Sequence, residues 1–493
     1  MTAAVDALDL RTGTTSGRWV IGAAVLGSGI AFLDGTVVNT ALPAIADDLN
    51  ADLAGIQWVL SSYLLTLGSL VVVGGSLGDR WGRKRVFMLG LAGFAITSLL
   101  CGVAPSIGLL IVARAVQGVS AALLVPGSLA IVSASFHPDD RGRAIGAWSG
   151  LAGVSTAIGP FLGGWLIDAV SWRLIFLINL PIVAVALWVS ARHVPESRDE
   201  TAEGGADIVG GALLALGLAG VVFALIEGPS RGWTTVTVGI GVLGVASLVA
   251  YIVVELRTRH PMVPLDIFRS WQFSGANLAT LAVYAGLSSL LFLLVVHLQE
   301  DLGYSALEAG AAFLPATVLM LVFSPRSGAL AQRIGPRLPM TIGPLIVGAG
   351  TLLLTRVTPG STYINAVLPG VTVVGVGLTI TVAPLTTAVL AAVEDAHAGI
   401  ASAINNAVAR IAGLLAVAVI PAVAGLSGEG LSWNEGWTRA LTITAAIAAS
   451  GGVVSWLTIR RSVPVRSVVH PSTLVACQDV GVVERPRRSA AAH

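Results

Sequence analysis

Charge is what this 493-residue sequence has least of. Only 11% of its residues are charged, against roughly 25% in a soluble globular protein. A water-facing surface of ordinary size cannot be clothed with so few. That argues against a soluble enzyme, a disordered chain and a nucleic-acid binder. Cysteine is almost as scarce. Cys101 lies in an apolar stretch and Cys477 in a polar tail, so neither a disulfide between them nor a metal spacing is expected. Lysine occurs once, as Lys84. There is no G-x-x-x-x-G-K-[ST] loop for ATP, no G-x-S-x-G elbow and no His/Cys cluster for a metal.

What is present is apolar length. Hydrophobic residues make up 55% of the chain and the mean hydropathy is +0.85. About 20 apolar residues cross a bilayer. Hydropathy gives fourteen spans, at 19–42, 54–76, 86–104, 107–133, 144–167, 173–191, 207–227, 235–255, 273–297, 309–330, 339–355, 363–390, 399–424 and 437–459. The first is too long for a signal-peptide core. It also carries an acid and an asparagine that a discarded segment would not need.

The formal charge of +1 conceals a division. With the N-terminus inside, 22 of the 28 basic residues fall on the cytoplasmic side, among them Arg80, Arg83, Lys84 and Arg85. Four fall outside: Arg173, Arg231, Arg356 and Arg439. The positive-inside rule then places both termini in the cytoplasm. An odd number of spans would scramble the alternation. Two cations remain within spans, Arg114 and Arg410, and Asp34 is the one acid clearly inside a span.

The chain also repeats. Gly75-Ser76-Leu77-Gly78-Asp79-Arg80-Trp81-Gly82-Arg83 follows the second span, and Gly328-Ala329-Leu330-Ala331-Gln332-Arg333-Ile334-Gly335 follows the tenth. Both fit G-x-L-x-x-R-x-G and both fall on the cytoplasmic side. An even number of spans separates the copies, so the two halves have like orientation.

The loop from Gly75 to Arg85 resembles the signature of the major facilitator superfamily. Leu33-Asp34-Gly35-Thr36-Val37-Val38-Asn39 with Pro43 resembles the first-span motif of its fourteen-helix drug:proton antiporter branch. Arg114-Ala115-Val116-Gln117-Gly118 resembles the fourth-span element, and Gly159-Pro160-Phe161-Leu162-Gly163-Gly164 the fifth-span antiporter motif. Ser155 stands where that motif usually begins with glycine. Ser171 to Pro181, and Ala398 to Asn406 with Arg410, match the same branch. The likeness covers about residues 19–460.

The resemblance implies an all-α integral membrane protein of the major facilitator fold. Its parts would be a cytoplasmic N-terminus (1–18), a six-helix half (19–191), a linker with two extra spans (192–272), a second six-helix half (273–459) and a disordered tail (460–493). It implies a monomeric carrier in a bacterial inner membrane, exporting lipophilic or cationic compounds in exchange for protons, by alternating access and without a cofactor. Protons and membrane lipids would be its other partners, and nucleic acid would not. Arginine in place of lysine, with abundant Ala, Gly and Val, suggests a high-G+C bacterium. A nutrient symporter of the same fold is the nearest rival. A membrane-bound enzyme or sensor would need a catalytic cluster or added domain.

Individual residues carry these expectations differently. A carboxylate in hydrocarbon must face a cavity, find a partner or take a proton. Asp34 is therefore expected to bind protons or cationic drug, or else to bond a neighbouring helix. Asn39 lies about 140° round the helix from Asp34 and reads as a packing hydrogen-bonder. Arg114 cannot readily shed its charge, and Gln117 lies on its face. Arg410 with Asn406 makes a similar stripe in the second half.

Ser155, Gly159 and Gly163 form a small-residue face for close helix packing, and Pro160 removes a backbone donor. With Gly164 they are expected to seal one side of the carrier. Gly75, Asp79, Arg80, Gly82 and Arg83 are expected to form a cytoplasmic latch or to fix topology. His297, Trp19, Trp58, Trp233, Trp433 and Trp437 read as interface residues, and Glu227 as an outer-loop cap. Phe32, Trp58, Tyr63, Tyr284 and Phe292 are candidates for the cavity wall.

Overall fold

A computed structural model describes residues 10–198, 207–258, 261, 263–393, 398–426 and 433–460. The tail beyond Arg460, with Cys477, lies outside them. Long helices dominate: α1 Thr15–Leu49, α2 Leu53–Trp81, α3 Arg83–Gly102, α4 Ile107–Ser135, α5 Pro138–Ala169, the pair α6 Leu174–Leu177 and α7 Asn179–His193, α8 Ile208–Arg231 and α9 Thr235–Arg257. Then follow α10 Trp271–Glu300, α11 Ala306–Ala311 with α12 Leu314–Ile334, α13 Arg337–Leu353, α14 Leu368–Leu390, α15 Ala398–Ala424 and α16 Trp433–Thr458. The described residues contain no strand, only a bridge between Leu10 and Phe136.

Thirteen of these units are long and apolar enough to cross a membrane. Helix α5, which carries Arg141 and Arg143 at its cytoplasmic end, supplies the place of the remaining expected span. The helix order is thus compatible with fourteen crossings.

Several helices outrun their apolar stretches, because polar ends stay helical beyond the hydrocarbon. Helix α1 starts at a Thr14 cap, whose hydroxyl accepts from Gly17 N at 3.1 Å, and ends at Asn50 in the left-handed region. Asp52 caps α2 through Gly55 N at 2.8 Å. The two repeat loops end their helices alike: Gly82 after α2 has φ +106° and Gly335 after α12 has φ +84°. A side chain at Gly82 would also meet the Glu196 carboxylate at 2.6 Å.

Helices α1 to α7 pack mainly with one another, as do α10 and α12 to α16, whereas α11 packs chiefly on α5. The two extra helices form a pair through Gly217, Gly220 and Gly244, at which a Cβ would meet the facing helix. Helix α8 then lies across α2 and α15, where Leu218, Val222 and Ile226 pack with Leu65, Leu414 and Ala418. Helix α9 buries only Thr237, Gly244 and Glu255. Its exposed Val242, Leu243, Val249 and Ile252 suit lipid contact.

The apolar clusters show which ends of the halves meet. One cluster at the outer end joins them, with Val37, Leu42, Ile56 and Val59 beside Leu290, Leu294, Val417 and Ile420. At the cytoplasmic end the clusters stay apart. Val20, Phe87, Phe94 and Phe136 belong to the first half, and Phe273, Met340, Leu385 and Ile459 to the second. With both termini in the cytoplasm, the joined end is the outer one, and the halves pack separately at the other.

Four expectations are corrected here. His297 is wholly buried, not at an interface. It stacks on Trp437 at 4.0 Å and bonds Asp301 at 2.8 Å and the Val357 carbonyl at 3.1 Å. Trp437, read as an interface anchor, is buried with it because the second half folds its last helix over α10. Glu227 is not a loop cap either. It sits inside α8, accepts from Trp58 Nε1 at 2.9 Å and pairs with Arg231 at 3.0 Å. It ties an extra helix to α2. Trp58 therefore faces α8 and not a cavity.

Candidate functional site

Asp34 and Arg114 meet. Both are fully buried near the middle of their helices, and Arg114 Nη1 donates to an Asp34 oxygen. Gln117 closes a triangle. Its Oε1 accepts from Arg114 Nη1 at 2.7 Å, and its Nε2 donates to Asp34 at 3.2 Å and to Ser98 Oγ at 2.9 Å. Asn179 donates to the same Asp34 oxygen at 3.4 Å and to Ser98 at 3.2 Å. Arg114 Nε donates to the Val59 carbonyl at 3.2 Å, and the guanidinium lies 4.1 Å over the Tyr63 ring. Four spans and the break before α7 thus converge on one carboxylate.

The sequence marks Asp34, Arg114 and Gln117 without saying that they meet, gives Ser98 and the Asn179 side chain no role, and offers Tyr63 as a cavity wall, whereas here it lies beneath the guanidinium. Asn179 opens α7 just after α6 stops at Leu177. Asn179-Leu180-Pro181 was visible as a motif, but nothing in it aimed the amide at α1. Gly118 permits the α2–α4 approach: a Cβ there would meet the Tyr63 carbonyl and the Thr66 hydroxyl, and Thr66 bonds the Ala115 carbonyl at 2.7 Å.

The fifth-span motif packs along two neighbours. On α1, a Cβ at Gly29 would meet Ser155 Oγ at 2.7 Å, one at Gly159 would meet the Thr36 hydroxyl, and one at Gly163 would meet Val37. On the second half, a Cβ at Gly164 would strike Leu307 Cα and the Ala306 carbonyl carbon at 2.5 and 2.7 Å. One at Gly310 would likewise strike the Pro160 carbonyl. Just beyond, the Asp168 carboxylate accepts from Ala306 N at 3.1 Å and Leu307 N at 2.9 Å, capping α11 from the other half. Gln299 Nε2 donates to the Thr40 carbonyl at 3.1 Å, and Gln57 Nε2 to that of Val417 at 2.8 Å. Small residues let two backbones touch, and polar contacts lock them.

The described contacts of Asp79, Lys84 and Gly75 in this loop fall within its own half. Asp79 pairs with Arg83 at 2.7 Å, beside a half-buried Arg80. Glu196, beyond α7, accepts from Lys84 N at 3.1 Å. A Cβ at Gly75 would come into ordinary van der Waals contact with Pro126 on α4. No ion pair between Asp79 and the second half is present among the described residues. The side chain of Gln332 lies outside the described set.

Arg410 and Asn406 are not brought to the Asp34 network. They stand half-buried on α15, across from the face of α1 formed by Phe32, Gly35 and Asn39. Asn39 donates to the Gly35 and Thr36 carbonyls of its own helix, each at 3.4 Å, and to no other helix among the described residues. Of the proposed wall aromatics, Phe32 and Tyr284 are half-buried, whereas Tyr63 and Phe292 are buried in the packing.

The family model for the Major Facilitator Superfamily matches residues 24–417 and again 276–489. The chain belongs to the major facilitator superfamily. Its overlapping second match agrees with the internal repeat. Relatives within the superfamily include the multidrug resistance protein Stp of Mycobacterium tuberculosis, 35% identical over 81% of this chain and 74% of that protein. The tetracenomycin C resistance and export protein of Streptomyces glaucescens is 33% identical over 79% of this chain and 72% of its own. The methylenomycin A resistance protein of Bacillus subtilis is 33% identical over 90% and 95%. A solved peptide transporter, at 15% identity, shares the fold with a TM-score of 0.67 over 92% of this chain and 97% of that one.

This superfamily member is a transporter of small molecules, not an enzyme, and a multi-pass protein of the bacterial plasma membrane. Its fold gives the site its logic. The charged network lies inside the first half, the small-residue seam lies between the halves, and the half-exposed polar residues face the space between them.

Proposed function

We propose that this protein exports organic compounds in exchange for protons, by alternating access, and that the proton gradient is its sole energy source. The observation that carries the reading is the Asp34 carboxylate, buried at mid-membrane against Arg114, Gln117 and Asn179. As an anion it is fully satisfied by that shell. It becomes a favourable proton acceptor only if α1 or α4 shifts and the guanidinium withdraws. A shift of that kind is what a change of the outer seam transmits, because α1 is in contact with both α4 and α5. Proton uptake by Asp34 and opening of the seam are thereby coupled through one helix.

The relatives named for drug and antibiotic resistance support export over import. Everted membrane vesicles test the direction. Acid inside is expected to drive accumulation of a fluorescent drug, and collapsing or reversing the gradient to end it. Accumulation that follows a reversed gradient would mean symport.

The seam adds a prediction about conformational balance. Helix caps contribute about 0.5–2 kcal/mol. Asp168→Ala removes the cap that the first half places on α11. The ratio of outward-open to outward-closed protein is then expected to rise by roughly fivefold. Labelling of a cysteine placed at the outer seam measures that ratio. A labelling rate equal to that of the parent would show that Asp168 does not hold the seam shut.

A further inference from the structure

We infer that Arg410 is the polar anchor of the cargo site, and that the cargo carries an acidic oxygen, a carboxylate or ionised phenol, on an aromatic body. The inference rests on the reading of the chain as an exporter of organic compounds, and it replaces the expectation of a cationic cargo.

Arg410 sits near the middle of α15 and is half-buried. Among the described residues it makes no ion pair and no hydrogen bond. Its single ring contact is with Phe32 of the other half, 5.6 Å from guanidinium carbon to ring centroid. Asn406, one turn nearer the cytoplasm on the same face, also lacks a side-chain partner among the described residues. Tyr63 and Tyr284 lie within electrostatic range of Arg410.

The buried acids among the described residues are engaged elsewhere. Asp34 is held by Arg114, Glu227 by Trp58 and Arg231, and Glu255 accepts from Val263 N. A cation at mid-membrane with five donors and no acceptor is costly unless something brings the acceptor. The helices are not pressed together at this point: a Cβ at Gly35 would make ordinary van der Waals contact with Arg410 Nη1 and the Tyr63 ring, at 3.9 and 4.0 Å.

Low surrounding polarity strengthens the pairing of a guanidinium with an acidic oxygen and equally the repulsion of a cation. Phe32 offers a flat apolar face beside the anchor, which selects an aromatic body. Asn39 and Asn406, on opposite sides of the gap, are placed to accept or donate to further oxygens of the same compound.

Two dyes on one xanthene frame test this. Fluorescein is anionic, and rhodamine 6G, an ester, is cationic. Binding is measured by fluorescence anisotropy on the full-length protein in nanodiscs, with no pH gradient. The parent is expected to bind fluorescein at least about tenfold more tightly than rhodamine 6G. Arg410→Gln is expected to weaken fluorescein by about 10- to 100-fold, the scale of a charge-assisted hydrogen bond, and to leave rhodamine 6G unchanged or stronger. Arg410→Lys, keeping charge without the fork, should fall between. Gly35→Leu, which fills the gap without altering charge, should weaken both dyes.

A parent that ignores fluorescein or prefers rhodamine 6G overturns the inference. So does an Arg410→Gln protein that loses both dyes equally, since that loss is structural. The binding arm needs no proton coupling. A charge preference that persists without gradient-driven transport would therefore count against antiport and not against the anchor.

Discussion

Asp34→Asn is expected to abolish drug-driven proton movement in proteoliposomes, to below about one hundredth of the parent rate, because a lost proton carrier leaves no residual route. Asparagine keeps the size and the hydrogen-bonding reach of the aspartate, so Gln117 and Asn179 retain a partner. It cannot take up and release the proton. The drug should still bind from the cytoplasmic side, since the half-buried face around Arg410 is untouched. Unchanged proton movement in the purified variant would sink the assignment.

The difficulty is the charge left behind. Removing one partner of a buried ion pair typically costs about 3–5 kcal/mol, and Arg114 is fully buried. Its remaining partners are Gln117 Oε1, the Val59 carbonyl and the Tyr63 ring, and they are expected to keep the variant inserted at reduced thermal stability. The double variant Asp34→Asn with Arg114→Gln separates the two effects, because it leaves no unpaired charge. It should regain much of the lost stability and none of the proton movement. If proton movement returns with stability, the carboxylate was holding helices together and carried nothing.

Charge made the fold readable. Hydrocarbon tolerates few ionised groups, so helices, their number and the sidedness of the loops leave a strong imprint on the order of residues. The same constraint singled out Asp34, Arg114 and Arg410. It could not say that the first two meet and the third does not. That depends on how α1 and α4 rotate within their half, which no periodicity records when most faces are apolar. Ser98 and Asn179 were invisible for a related reason. Small polar residues are common in membrane helices, and only the position of a carboxylate distinguishes these two. His297 and Trp437 misled because a polar aromatic near a span end looks the same whether lipid headgroups or another helix covers it. Asn39 shows the opposite error: its angle from Asp34 was right, and the face it occupies is the one opposite Arg410.

Gly164→Leu is expected to bring export to background while leaving the first half folded. The residue is where two halves touch backbone to backbone, and even a methyl group would lie 2.5 Å from Leu307 Cα. Neither backbone can yield locally, since Asp168 caps α11 at that point and Gly310 is pressed against the Pro160 carbonyl. Overpacking costs about 1–3 kcal/mol, and here the cost falls only on the outward-closed state. That shifts the conformational ratio towards outward-open by roughly 10- to 100-fold. The cytoplasm-facing state from which drug is loaded is then scarcely populated. Gly163→Leu is the control. Its Cβ would meet Val37 within the same half, so it should lower thermal stability in both states and leave their ratio alone. A cysteine at the outer seam should label quickly in the Gly164 variant and at the parental rate in the Gly163 variant. Equal labelling in the two would mean that the seam between α5 and α11 is ordinary packing, and that closure is governed elsewhere.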